Sequence, residues 1–134
     1  MQDRFKFRYV FEKDFGGKTG ICYKMPIFDL DETVRTEFEK TINGYTDYDY
    51  KLVSKDQCTG KKDKNNILLF ENDIIYKKGN KNYKKEKMYS KVIFDDMYAE
   101  FNISDEDGYH RMPSDSQNIE VVGNIYQNRG LIHV

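Results

Sequence analysis

Phe5, Phe7, Tyr9 and Phe11 stand at alternate positions of the opening stretch Phe5-Lys6-Phe7-Arg8-Tyr9-Val10-Phe11. A period of two puts four rings on one side of an extended strand, which a helix cannot do. The alternation returns at Tyr48, Tyr50 and Leu52, and short apolar runs bounded by turn residues follow at 67–76, 88–94, 97–103 and 119–126. Seven or eight short strands, joined mostly as hairpins, predict a mainly β fold with one short helix. The expected architecture is a small antiparallel, partly closed β-barrel, because closure hides strand edges.

Local signals place the joints. Gly16, Gly17 and Gly20 predict the turn of a hairpin between the opening strand and Ile21-Cys22-Tyr23. Gly16-Gly17-Lys18-Thr19 is no phosphate loop, since the spacing would need glycine at position 12, which is Glu12. The helix is expected over 29–44. Asp29 would cap it with Glu32 three residues on, Val34, Phe38 and Ile42 would form its buried stripe, and Asn43-Gly44 would stop it. Residues 54–66 read as a polar loop with turns at Thr59-Gly60 and Asp63-Lys64-Asn65-Asn66. Glu71-Asn72-Asp73 reads as a tight turn and Asp95-Asp96 as a two-residue hairpin connection. Gly123, inside a strand-like run, marks a bulge or a close approach of another chain segment.

A length of 134 residues suits one domain, 1–134. With 38% hydrophobic and 34% charged residues and a mean hydropathy of −0.86, the core must lean on 11 Tyr and 9 Phe. No apolar run approaches the roughly 20 residues of a membrane span, and Met1-Gln2-Asp3-Arg4 lacks the apolar stretch of a signal peptide. A soluble, cytoplasmic protein that does not engage a membrane is expected. Cys22 and Cys58 stand apart, without Cys-x-x-Cys spacing. They read as reduced small hydrophobes, with a disulfide between them as the alternative.

Charge is strongly segregated beneath a net value of −1. Basic and acidic residues number 8 and 10 in 1–50, 12 and 5 in 51–91, and 2 and 8 in 92–134. The sharpest feature is the segment 76–89, where Lys77, Lys78, Lys81, Lys84, Lys85 and Lys87 alternate with Tyr76, Tyr83 and Tyr89. Lysines beside rings suit a phosphate backbone with stacked bases, whereas a solvated hairpin tip has the same composition. Asp95, Asp96, Glu100, Asp105, Glu106, Asp107 and Asp115 are the carboxylates that a divalent ion would need, but no lysine follows Glu100 at nuclease spacing. His110 and His133 stand apart in the chain; a triad would need His110 beside a nucleophile such as Ser114 or Cys58, which spacing neither supports nor denies. No catalytic residue, metal ligand or cofactor site is assigned.

Three stretches carry a resemblance. They are Phe5-Lys6-Phe7-Arg8; the centre, Gln57-Cys58-Thr59-Gly60-Lys61-Lys62-Asp63-Lys64-Asn65-Asn66 with Phe70-Glu71-Asn72-Asp73-Ile74-Ile75; and Ile119-Glu120-Val121-Val122-Gly123-Asn124-Ile125-Tyr126-Gln127-Asn128. Together they resemble the YopX-like family of phage and prophage proteins. The family usually carries glycine where this chain has Asn66 and Asn72, and asparagine is the next residue to tolerate positive φ. Cys58 replaces a common aromatic. The resemblance implies a mainly β fold, a phage or mobile-element origin and a setting inside a bacterial host cell, but no reaction. The matched residues Gln57, Thr59, Gly60, Asp63, Lys64, Asn65, Glu71, Asp73, Gly123 and Asn124 are read as serving the turns.

The expected function is that of an accessory binding module without catalysis. It would act through protein–protein contact, either self-assembly into a homo-oligomer or capture of a bacterial host or phage protein. The alternatives are a nucleic-acid-binding small barrel that uses the basic surface of Lys77, Lys78, Lys81, Tyr83, Lys84, Lys85 and Lys87, and a metal-dependent hydrolase.

Overall fold

The opening alternation forms strand β1 (Lys6–Asp14) in a computed structural model that describes residues 6–29, 35–77, 88–105 and 108–132. The chain packs as two compact units, Met1–Cys58 and Thr59–Val134. Among the described residues there are ten strands and one α-helix, so the fold is mainly β. Both sheets are antiparallel where their register is defined. The first curls through 209° as half a barrel and the second stays open.

In the first unit β1 is the central strand. One side of it pairs with β3 (Ile27–Asp29) near its start and with β2 (Ile21–Lys24) near its end; the other side pairs with β4 (Lys51–Lys62). The β1–β2 turn is the glycine turn read in the sequence. Gly16, Gly17 and Gly20 have φ of 69°, 55° and 65°, and the Asp14 carboxylate accepts the Gly16 amide at 2.8 Å. The expected single face of four rings is not what forms. The register against β4 shifts between Val10 and Phe11, so these sequence neighbours are both fully buried. A bulge reverses the alternation. Before it, Arg8 and Val10 are buried while Phe7 and Tyr9 are half-buried, with the Lys55 ammonium over both rings at 4.4 and 5.6 Å.

Helix α1 (Arg35–Asp47) corrects both expected ends. Asp29 ends β3 and does not cap the helix; Glu32 and Val34 lie outside the described residues. Asn43-Gly44 does not stop it. The helix continues so that Tyr45 packs on Phe11 and Tyr50, with ring centroids 5.1 and 5.9 Å apart. Those contacts offset the roughly 1 kcal/mol that glycine costs inside a helix. The reversal comes at Asp49, whose φ is 66°, where the Tyr50 amide bonds back to the Tyr45 carbonyl. The expected polar loop at 54–66 is also corrected. β4 runs through Thr59-Gly60 to Lys62, with Gly60 at φ 81° and the Lys61 amide donating to Thr59 Oγ1. Cys22 is half-buried and Cys58 fully buried, and they form no disulfide.

The second unit begins with the end of β4 and adds β5 (Leu68–Phe70), β6 (Asp73–Lys77), β7 (Met88–Asp95), β8 (Glu100–Asp105), β9 (Gly108–Arg111) and β10 (Ile119–Asn124). β5 bonds to β4, and the other five form a sheet in the order β10-β6-β7-β8-β9. Leu69, Ile75, Val92, Ile103 and Ile119 make its core, with Met112 and Val121 packed against them. The turns at Asp63–Asn66 and Glu71-Asn72 form as read, and Asn66 and Asn72 adopt φ of 65° and 69°, the conformation expected of a glycine replacement. The β7–β8 connection spans 96–99, not the two residues Asp95-Asp96, because Asp95 pairs with Glu100 as the last rung of the ladder. β9 lies where the sequence carries no strand signal; its backbone pairs with β8 from Asp105–Gly108 to Asn102–Arg111. Among the described residues no helix is long and apolar enough to cross a membrane.

Candidate functional site

The residues matched to the family pattern form a structural knot. Asp63, almost fully buried, accepts the amides of Asn65 and Ile67 on Oδ1 at 2.8 and 2.9 Å and that of Val121 on Oδ2 at 2.9 Å. The Lys64 amide reaches the Ile119 carbonyl at 2.9 Å, and the Lys64 ammonium meets Glu120 at 3.1 Å. This turn thereby covers the outer edge of β10. Asn65 supplies the turn's backbone, and the Lys61 ammonium donates to the Pro113 carbonyl. Asp73 is buried and accepts the Phe70 amide at 2.8 Å across the turn that holds Glu71. Gly123 lies where the β10–β6 register shifts, and a Cβ there would overlap the Asn128 side chain. Asn124 Oδ1 accepts the Tyr126 and Gln127 amides, closing the chain after β10. Gln57 sits in β4 opposite Phe7. None of these contacts assembles a nucleophile with a base.

Of the basic surface, Lys77 ends β6, opposite Met88 on one side and Ile119 on the other. Lys78, Lys81, Tyr83, Lys84, Lys85 and Lys87 lie outside the described residues. Tyr76 and Tyr89 pair edge to face across β6 and β7 at 6.1 Å.

A surface that the sequence reading did not single out lies at the other end of β7. Around the β7–β8 turn and β9 a concavity of about 500 Å³ is lined by Asp95, Met97, Tyr98, Glu100, Asn102, Tyr109, His110 and Arg111. Its floor is built by register. Asp95 and Glu100 are cross-strand partners, and the buried Asn102 carboxamide donates to both, at 3.2 Å to Asp95 Oδ2 and 3.3 Å to Glu100 Oε1. Met97, Tyr98 and Tyr109 stand around it with 82%, 69% and 75% of their surface exposed. By the pleat, Tyr109 and Arg111 share the face of Asn102, whereas His110 falls on the face of Ile103 and Asp105. The His110 ring accordingly bonds to Asp105, Nε2 to Oδ1 at 3.1 Å, and to neither floor carboxylate.

Among the described residues no three His, Cys, Asp or Glu side chains converge to hold a metal ion. Glu106 and Asp107 lie outside them. The concavity therefore presents carboxylates, an amide and exposed rings, a set suited to gripping a charged, partly apolar group. In sequence Met97 and Tyr98 open the strand-like run 97–103; β8 begins only at Glu100, which leaves both in the turn 96–99.

A family model described as YopX protein matches residues 21–133, taking in the central and closing resemblances but not Phe5-Lys6-Phe7-Arg8. No curated protein matches the chain.

Proposed function

The chain belongs to the YopX family, and from that premise we propose that it is a non-catalytic binding module, of phage or prophage origin and acting in the host cytoplasm, that grips a protein partner at the Met97–Tyr98–Tyr109 surface. One observation carries the reading: three large side chains are more than two-thirds exposed around a single concavity. Leaving such side chains in water forgoes burial worth about 1.5–3 kcal/mol each, and partner contact recovers it. Tyrosine and arginine are also the residue types that dominate interface energetics, and Tyr98, Tyr109 and Arg111 meet here.

The test is the double substitution Tyr98→Ala/Tyr109→Ala. Both side chains are exposed, so the melting temperature should stay within about 2 °C of the parent. Proteins captured from host lysate by the parent chain should be lost by the variant. Capture that survives the double substitution overturns the assignment of the surface. A hydrolytic activity that appears with added divalent metal would overturn the non-catalytic reading.

A further inference from the structure

We propose that the partner gripped at this concavity presents a basic, extended segment, which adds as a further strand to the open edge of β9 and lays a lysine or arginine past Tyr109 toward Asp95 and Glu100; this deepens the binding reading above and rests on it.

The two edges of the second unit's five-stranded sheet differ. The outer side of β10 is covered, since the Lys64 amide donates to the Ile119 carbonyl and the Val121 amide to Asp63. β9 ends the sheet on the other side, bonded to β8, and among the described residues no backbone group of another segment bonds to its outer side. In an antiparallel edge strand alternate residues direct their N–H and C=O groups outward, where an extended chain can pair with them. The side chains of an added strand follow the same pleat. Every second one therefore stands on the face that Asn102, Tyr109 and Arg111 share.

Charge selects what that side chain is. Neither Asp95 nor Glu100 is in an ion pair among the described residues; the Asn102 carboxamide bonds to both, and Asp95 also accepts the Met97 amide. Arg111 is the one Lys or Arg that lines the concavity, so the two carboxylates outnumber it, and the His110 ring is turned to Asp105 on the other face. Glu100 lies on β8, two strand spacings or about 10 Å from an added strand. A short side chain does not cross that distance, whereas the stem of a lysine or arginine does when the Glu100 side chain meets it. The stem passes Tyr109, whose ring is 75% exposed. The first unit already contains this contact. Lys55 stands opposite Tyr9 across β4 and β1, and its ammonium lies 5.6 Å from the Tyr9 ring and 4.4 Å from that of Phe7. Tyr109 offers such a ring at an open edge.

The test is a nuclear magnetic resonance titration of the full chain at low salt with acetyl-(Lys-Thr)3-amide, a basic peptide whose threonines favour the extended state. The amide signals of Gly108–Arg111 should shift, and the affinity should fall as salt rises. Acetyl-(Glu-Thr)3-amide should bind at least about tenfold more weakly, and Asp95→Asn/Glu100→Gln should cost the lysine peptide about tenfold, with circular dichroism unchanged. At a peptide concentration about ten times its Kd, those β9 amides that exchange fast in the free chain should slow about tenfold. Unchanged exchange in β9, equal affinity for the glutamate peptide, or no binding of the lysine peptide at millimolar concentration each overturns the inference. If that happens while Tyr98→Ala/Tyr109→Ala still abolishes capture from lysate, the binding reading stands without it; capture that survives the double substitution removes both.

Discussion

Asp63 Oδ2 accepts the Val121 amide at 2.9 Å, joining residues 58 positions apart in the chain. The same carboxylate holds the turn to β5 through Asn65 and Ile67. One side chain thus fixes a local reversal and seals the outer edge of the closing strand.

Removing it should be costly. Asp63→Ala strands three backbone donors around an almost fully buried position, and a loss of about 3 kcal/mol is expected in urea denaturation. Asp63→Asn keeps an oxygen for the turn but faces Val121 with an NH2 group, so it should lose about half as much. Hydrogen exchange at the Val121 amide should quicken in both. An Asp63→Ala chain within about 0.5 kcal/mol of the parent would refute this role.

Arg8 and Asp56 form a buried ion pair between β1 and β4, Nη2 to Oδ2 at 2.9 Å, with Ser54 Oγ donating to Oδ1 at 2.7 Å. Replacing Arg8 with Met leaves a buried carboxylate short of its cation, and about 3–5 kcal/mol should be lost. The pair Arg8→Met/Asp56→Leu should recover most of that, since both desolvation costs disappear together. Simple addition of the two single losses in a double-mutant cycle would contradict the coupling.

Gly123 is required by its neighbour. Gly123→Ala should cost about 1–3 kcal/mol, because its Cβ would occupy the space of the Asn128 carboxamide. In an Asn128→Gly background the same substitution should cost less than half as much. An equal penalty in both backgrounds would move the cause from the side-chain overlap to the backbone at the bulge.

The features legible from sequence are those set by a residue's own backbone preference. The glycine turn after β1 and the asparagines at positive φ in the turns 63–66 and 71–73 needed only local chemistry. So did the mainly β character, because alternation with rings is a strand signal whatever the partner. Tertiary contacts decided the rest. Helix α1 passes Asn43-Gly44 because Tyr45 finds Phe11 and Tyr50; β4 passes Thr59-Gly60 and carries on to Lys62; and one bulge turns Phe11 into the core while Phe7 and Tyr9 stay half-exposed under Lys55. The concavity belongs to this second class. Asp95, Glu100, Asn102 and Tyr109 are scattered in sequence, and they share a face through the ladder register of β7, β8 and β9. A residue's identity limits its own dihedral angles, but where a strand ends and which way it faces depend on the strand beside it.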